Sequence, residues 1–308
     1  MKNFRVSIDA IKQKAWKNKK WLAYILFTIL LTVCLLYYRF PSDSFRYYLQ
    51  ATAERMNPKY LLSVEKVSPI FPPGFSLRKT KLSLKINPDA GLFMADSIVI
   101  RPEIWSFLKG RSGYRFNCLA YGGGLKGSVH FSGNSVKAPF SASVKFKDIR
   151  IDNYAAFSSM IRRDIKGITG GTIKYSGECD SLIDGTGEAE FTISDGRVEL
   201  LKPILSYDTI NFDTILMKIA LKNQKIDVIH VELKWQDVKG SLSGYIALKK
   251  DILKSRLSLR GAIEIPVGTL KGSKEAVNTI KFLRTRSKKG KLNFIVDGTF
   301  ISPTFRFI

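Results

Sequence analysis

The chain has 308 residues, with 50 Lys and Arg against 26 Asp and Glu, for a formal net charge of +24. Its two His and three Cys are too few and too scattered for a zinc centre or a disulfide-stapled scaffold. No RNP-like, zinc-finger or helix-turn-helix pattern accompanies the basic charge, which excludes nucleic acid as the expected partner.

Residues 1–20 carry seven Lys and Arg and one acid, Asp9. Eighteen uncharged, mostly apolar residues follow, Trp21 to Tyr38. As a helix they cover roughly 27 Å, close to the ~30 Å of a bilayer core. Leu30 and Leu36 lie within the run, while Trp21, Tyr24, Tyr37 and Tyr38 crowd its ends as interfacial aromatics do. The expectation is a basic cytoplasmic tail (1–20), a retained transmembrane helix (21–38) and an exported remainder. A cleaved signal peptide fits less well, because the A-x-A at Ala51-Thr52-Ala53 lies far beyond the apolar run.

Pro41 and Ser42 predict a helix start. Phe45, Tyr48, Leu49, Thr52 and Met56 share one stripe, and Asn57-Pro58 ends it. After Val64 the chain alternates: Lys81-Leu82-Ser83-Leu84-Lys85-Ile86 has the period of a half-buried strand, as do Ala189/Phe191/Ile193, Leu257/Leu259 and Leu292/Phe294/Val296. Gly, Asn and Asp punctuate these runs as in antiparallel meanders. Gly127–Gly133 matches Gly171–Gly177 in character, and Val144–Asp148 matches Phe191–Asp195 after a short slip. A briefer echo is Gly240-Ser241-Leu242-Ser243-Gly244. Such strand–turn–strand units stack into one extended sheet.

Two further helices are expected, from about Asn153 to Lys166 and from about Thr269 to Arg286. Lys281, Arg284, Arg286, Lys288 and Lys289 crowd the end of the second of these. Cations there offset the helix dipole, and they also form a candidate anionic docking patch. From Phe40 onward the balance is 42 Lys and Arg to 25 acids. That excess either keeps strand faces soluble or meets phospholipid or lipopolysaccharide phosphates. Cys118 and Cys179 are read either as a pair or, preferably, as free thiols.

Catalytic signatures are missing. His130 and His230 have no Cys or carboxylate at ligand spacing. Gly122-Gly123-Gly124-Leu125-Lys126-Gly127-Ser128 superficially resembles a phosphate loop, but it lacks Lys before Ser and a strand follows it, so it reads as a hairpin turn or bulge. Ser106-Phe107-Leu108-Lys109 matches S-x-x-K without its companion motifs. The expectation is a protein that is not an enzyme and needs no cofactor or metal.

Phe40-Pro41-Ser42-Asp43 opens the first helix, and Val67-Ser68-Pro69-Ile70-Phe71-Pro72-Pro73-Gly74-Phe75-Ser76-Leu77 follows. Pro72-Pro73-Gly74 is expected to be a rigid extended segment ending in a turn, which locks the helix against the first strands. With the turn Ser194-Asp195-Gly196-Arg197-Val198 and the closing Gly298-Thr299-Phe300-Ile301-Ser302-Pro303, this layout resembles the N component of bacterial type II secretion, in its delta-proteobacterial form. The strand-rich part is similar to AsmA-like domains.

The resemblance implies a mainly β, extended, curved antiparallel sheet (a groove or open sandwich) after one transmembrane helix. It implies a single-pass inner-membrane protein with a periplasmic domain at 78–308, joined through 39–77. Its expected partners are the inner membrane, other secretion subunits and, in the second reading, phospholipid or lipopolysaccharide. The two functions to separate are a structural secretion component and a lipid-binding or lipid-transfer protein. An open apolar face favours the second.

Overall fold

The computed structural model describes residues 3–108, 110–133, 138–154, 164–204, 207–235, 238–264 and 291–308; within these, the side chains of 3–18, 36, 56, 90, 107, 108, 200–204, 207, 208 and 210 are not described. Helix α1 (Asn3–Tyr38) leads into α2 (Ser42–Met56). Among the described residues one fourteen-stranded antiparallel sheet follows, in which every strand pairs with its sequence neighbours. Its strands are β1 (Tyr60–Ile70), β2 (Gly74–Leu84), β3 (Asn87–Pro102), β4 (Ser112–Ala120), β5 (Gly123–Phe131), β6 (Phe140–Arg150) and β7 (Ile165–Glu178). The order continues with β8 (Ser181–Ile204), β9 (Tyr207–Lys222), β10 (Lys225–Trp235), β11 (Val238–Ala247), β12 (Arg256–Glu264), β13 (Lys291–Thr299) and β14 (Pro303–Phe307). Short helix α3 (Ile104–Leu108) and a 3-10 turn (Ile252–Lys254) interrupt the meander. β1 and β14 do not pair, so the sheet is open. At about 4.8 Å per strand its width is on the order of 60 Å.

The mainly β, antiparallel expectation therefore holds, and so do the bounds of the first helix. Pro41 occupies the N-cap of α2 and Asn57 its C-cap. Pro tolerates this position because the first helical N–H groups have no intrahelical partner. Phe45 and Leu49 face the sheet, and Phe45 stacks on Phe75 at 4.7 Å between ring centroids. Tyr48, expected on the same stripe, is exposed. Beneath α2 lie Val64, Val67 and Leu77, with Val67 fully enclosed at 0 % exposure. Burying side chains of this size stabilises by about 1.5–3 kcal/mol each.

Several expectations are corrected. The β domain begins at Tyr60, not at residue 78. Pro72-Pro73-Gly74 makes the expected turn, but between two strands and not between helix and sheet. It closes the β1–β2 hairpin, with Pro69 opposite Phe75 and Ile70 opposite Gly74. The Ser194–Val198 segment is not a turn but the interior of β8. There Asp195 has φ 50°, and Gly167 on β7 faces both Asp195 and Gly196. Two residues opposing one is a β-bulge, which asks for the same left-handed conformation as a turn and which Asp tolerates. Ile165 and Lys166, read as a helix end, open β7. Asn153, Tyr154 and Asp164, within the same reading, are not helical, while 155–163 and the whole of the helix at 269–286 lie outside the described residues.

The repeat is real geometry. Gly127 pairs with Val144, and Gly171 pairs with Phe191. Each unit also ends in an aspartate with positive φ, Asp148 at 57° and Asp195 at 50°. Asp148 sits in the equivalent bulge of β6, between the pairs Phe146–Gly171 and Ile149–Thr169. The echo at Gly240–Gly244 falls in β11.

Residues 21–38 form the C-terminal half of α1, and their apolar side chains from Trp21 to Leu35 point outward, largely uncovered. Among the described residues, no helix is long and apolar enough to cross a membrane. The expected span is thus not established by the fold.

Candidate functional site

Directly opposed residues of antiparallel strands share a face. Following the pairing from strand to strand therefore traces rows across the sheet. One row runs Pro69, Phe75, Ile100, Phe116, Gly127, Val144, Ile173, Ala189, Ile219, Val228, Gly244, Leu259, Val296 and Phe305. Its neighbour runs from Val67 through Leu77, Ile98, Cys118, Leu125, Phe146, Gly171, Phe191 and Met217 to Val231, Leu242, Gly261, Phe294 and Phe307. Neither contains a charged or hydrogen-bonding side chain apart from the Cys118 thiol. The opposite face is polar: Arg115, Ser128, Ser143, Lys174 and Glu188 occupy one of its rows.

The apolar face is covered unevenly. Near the start it is sealed by α2, and Ala95, Cys118 and Ala120 are buried beside Phe93 and Tyr121. Near the end Val228, Val231 and Leu259 are buried among Ile215, Met217, Leu242 and Val296. Between these regions, no hydrophobic side chain described in β5 to β8 is buried, and Ile173 is 41 % exposed. A contiguous apolar surface left in water is costly at about 25 cal/mol per Å2, which marks it for a partner.

Glycine shapes this face. The rings of Phe116, Phe212 and Phe294 lie where a Cβ on Gly127, Gly196 and Gly261 would stand. Each ring covers the backbone of the neighbouring strand, an arrangement that compensates for the missing glycine side chain.

The expected site residues are dispersed by function. Trp21, Tyr24, Leu30 and Tyr38 are exposed on α1, where Leu36 also lies. The Tyr37 hydroxyl donates to the Ile70 carbonyl at 2.5 Å and fastens α1 to the β1–β2 hairpin. Pro41, Ser42 and Asp43 start α2, where Asp43 pairs with Arg46 at 3.2 Å. Ser68 and Pro69 are in β1, and Pro72, Pro73 and Gly74 form the hairpin just described. Asp195 and Gly196 form the β8 bulge; Gly298, at φ 98°, and Pro303 face each other at the β13–β14 hairpin. The candidate anionic patch, Lys281 to Lys289, lies outside the described residues.

None of the three cysteines is in a disulfide; Cys118 is buried, and Cys34 and Cys179 are exposed. Burial pushes the Cys118 thiol up to about 11, so it is a packing group rather than a nucleophile. Among the described residues no three His, Cys, Asp or Glu converge to hold a metal.

Sequence reasoning missed one polar cluster. Glu103, 17 % exposed at its side chain, accepts from Arg115 at 2.5 Å, and Ser106 and His130 each approach its other oxygen at 3.1 Å. The Arg115 hydrogen bond, opposed by desolvation, holds the Glu103 carboxyl below the usual carboxylate range. Ser106 and His130 both address the carboxylate, so this is a clamp fixing α3 to β4 and β5, not a nucleophile and its base. A lowered carboxyl contributes stability that is complete above the ordinary glutamate range and lost as pH falls below it. Glu103→Gln is therefore expected to destabilise at neutral pH by about 1–3 kcal/mol. The deficit should shrink toward pH ~3, as read from urea midpoints across that range.

No protein-family model, no curated protein and no solved structure matches this chain.

Proposed function

We propose that this is a non-enzymatic, membrane-anchored protein whose sheet holds lipid alkyl chains on its open apolar face. The observation that carries the reading is the pair of uncharged rows crossing all fourteen strands, unburied in β5 to β8. A surface without polar side chains selects for ligands without polar groups along their length, as alkyl chains are. The Trp21–Tyr38 part of α1 is the proposed anchor. Its apolar side chains from Trp21 to Leu35 are largely uncovered, which an aqueous helix does not sustain, and the basic stretch before it favours a cytoplasmic N-terminus. The sheet then stands beside a bilayer that supplies the lipid, in the bacterial inner membrane with the sheet in the periplasm.

The test is native mass spectrometry of the full chain extracted in a neutral detergent. Phospholipid or lipopolysaccharide carried at about one or more per chain is expected. Recovery free of lipid from intact membranes overturns the reading.

A role as a type II secretion component is the second proposal. It is favoured by the way α1, α2 and the Pro72-Pro73-Gly74 hairpin are tied together through Tyr37, Phe45 and Phe75, a mount of set orientation suited to an assembly. Its test is genetic: deletion should leave folded exoproteins in the periplasm, and normal release removes the proposal.

A further inference from the structure

The polar face carries one cluster that neither alkyl binding nor ion pairing accounts for. Lys126 on β5 stands directly opposite Lys145 on β6, and Lys147 stands opposite Gly124. Like charges so placed oppose strand pairing. Among the described residues, neither Lys126 nor Lys145 has a carboxylate in ion-pair range, while Lys147 reaches only Asp148, at 3.8 Å. The three lysines line a hollow of about 670 Å3 together with Asp96, Asp148 and the hairpin glycines 122–124.

Gly124 is the telling residue. Its backbone is not left-handed, and a Cβ there would meet nothing within 4 Å. Neither conformation nor packing requires glycine. Gly123, by contrast, has the Asp148 backbone where its Cβ would be. The missing side chain at 124 leaves open space on the lining that Gly124 shares with the three lysines.

We infer that this hollow binds a single phosphate group, free or on a lipid headgroup, clamped between Lys126 and Lys145 with Lys147 at its side. Ammonium–phosphate hydrogen bonds are charge-assisted and short, and an anion between two opposed lysines turns their repulsion into attraction. Two carboxylates against three lysines suit one phosphate and disfavour a polyanion. The glycine run acts here without the helix N-terminus of a phosphate loop, because β5 follows it; the charge comes from lysine side chains instead. The site is on the face opposite the alkyl-bearing rows, so it stands or falls independently of them.

The experiment follows thermal unfolding of the full chain in neutral detergent. One arm adds inorganic phosphate against sodium chloride of equal ionic strength; the other dopes the micelles with phosphatidic acid. Wild type is expected to show a saturable rise of ~2 °C or more in at least one arm. A rise in the first arm identifies free phosphate as sufficient, and a rise confined to the second identifies the headgroup. Lys126→Gln with Lys145→Gln should melt higher than wild type without phosphate and lose the rise. Gly124→Val should project a branched side chain into the hollow beside the lysines, keep the phosphate-free midpoint at or above that of wild type, and weaken or lose the rise. No rise in either arm overturns the inference, as does an undiminished rise in both variants.

Discussion

Replacing Ile173 by Asp is expected to abolish alkyl-chain binding while leaving the protein folded. Ile173 lies midway along the first apolar row, between Val144 and Ala189, and is 41 % exposed. At 41 % exposure a carboxylate there keeps contact with water in the ligand-free protein, and lost apolar contact and strand propensity together cost about 1–2 kcal/mol. When an alkyl chain covers the row, the same carboxylate loses its water. A charge in a hydrocarbon setting costs about 2.5–3.5 kcal/mol, or on the order of 100-fold in occupancy. The control is three residues away. Ser176 belongs to the polar face, in register with Ser141 and Thr186 and clear of the lysine hollow. Ser176→Asp should retain lipid at the wild-type level. Lipid phosphorus per chain in purified protein, beside a circular-dichroism melt, reads both quantities. Equal retention by Ile173→Asp and wild type contradicts the assignment of this face, as does equal loss in Ser176→Asp.

The largest stability effect is expected where Gly196 meets Phe212. These residues are directly paired, Phe212 is 5 % exposed, and its ring occupies the place of a Cβ on Gly196. Phe212→Ala removes the ring and leaves a cavity, at about 3–5 kcal/mol. Gly196→Ala inserts a methyl into the ring, and the bulge at Asp195 limits how far the strand can retreat, so about 1–3 kcal/mol is expected from overpacking. The two changes share one space. Gly196→Ala combined with Phe212→Ala should therefore cost less than their sum, with a coupling of about 0.5–3 kcal/mol. Denaturant midpoints of the four proteins complete the cycle. Strict additivity means that Gly196 is glycine for some other reason.

Helix α2 was legible because its ends are punctuated by residues with one local meaning. Pro41 starts a helix and Asn57-Pro58 stops one whatever surrounds them. The repeat was legible for a similar reason: Gly-bounded strands with a trailing Asp recur because the same hairpin and bulge recur. Pro72-Pro73-Gly74 and Asp195-Gly196 announce a change of chain direction or twist without saying which. A left-handed aspartate suits a turn and a bulge alike, and a stiff Pro-Pro-Gly suits a connector and a hairpin alike. Which one forms depends on the strand lying opposite. Glu103, Ser106, Arg115 and His130 were invisible as a cluster because they come from three elements joined by the β3–β4 connection.

By itself, the sequence determined that the chain is built of period-two strands, that an apolar helical stretch precedes them, and that no catalytic motif accompanies them. These are local properties, carried by residue order within a turn or a strand. The tertiary structure decided that the alternations of fourteen strands fall into register, so that apolar positions join into continuous rows. It also decided that α2 covers only one end of that surface, leaving Ile173 and its neighbours open. The reason is that a strand's period sets which residues share a face, but the register between strands, shifted by one residue at each bulge, sets which of them meet.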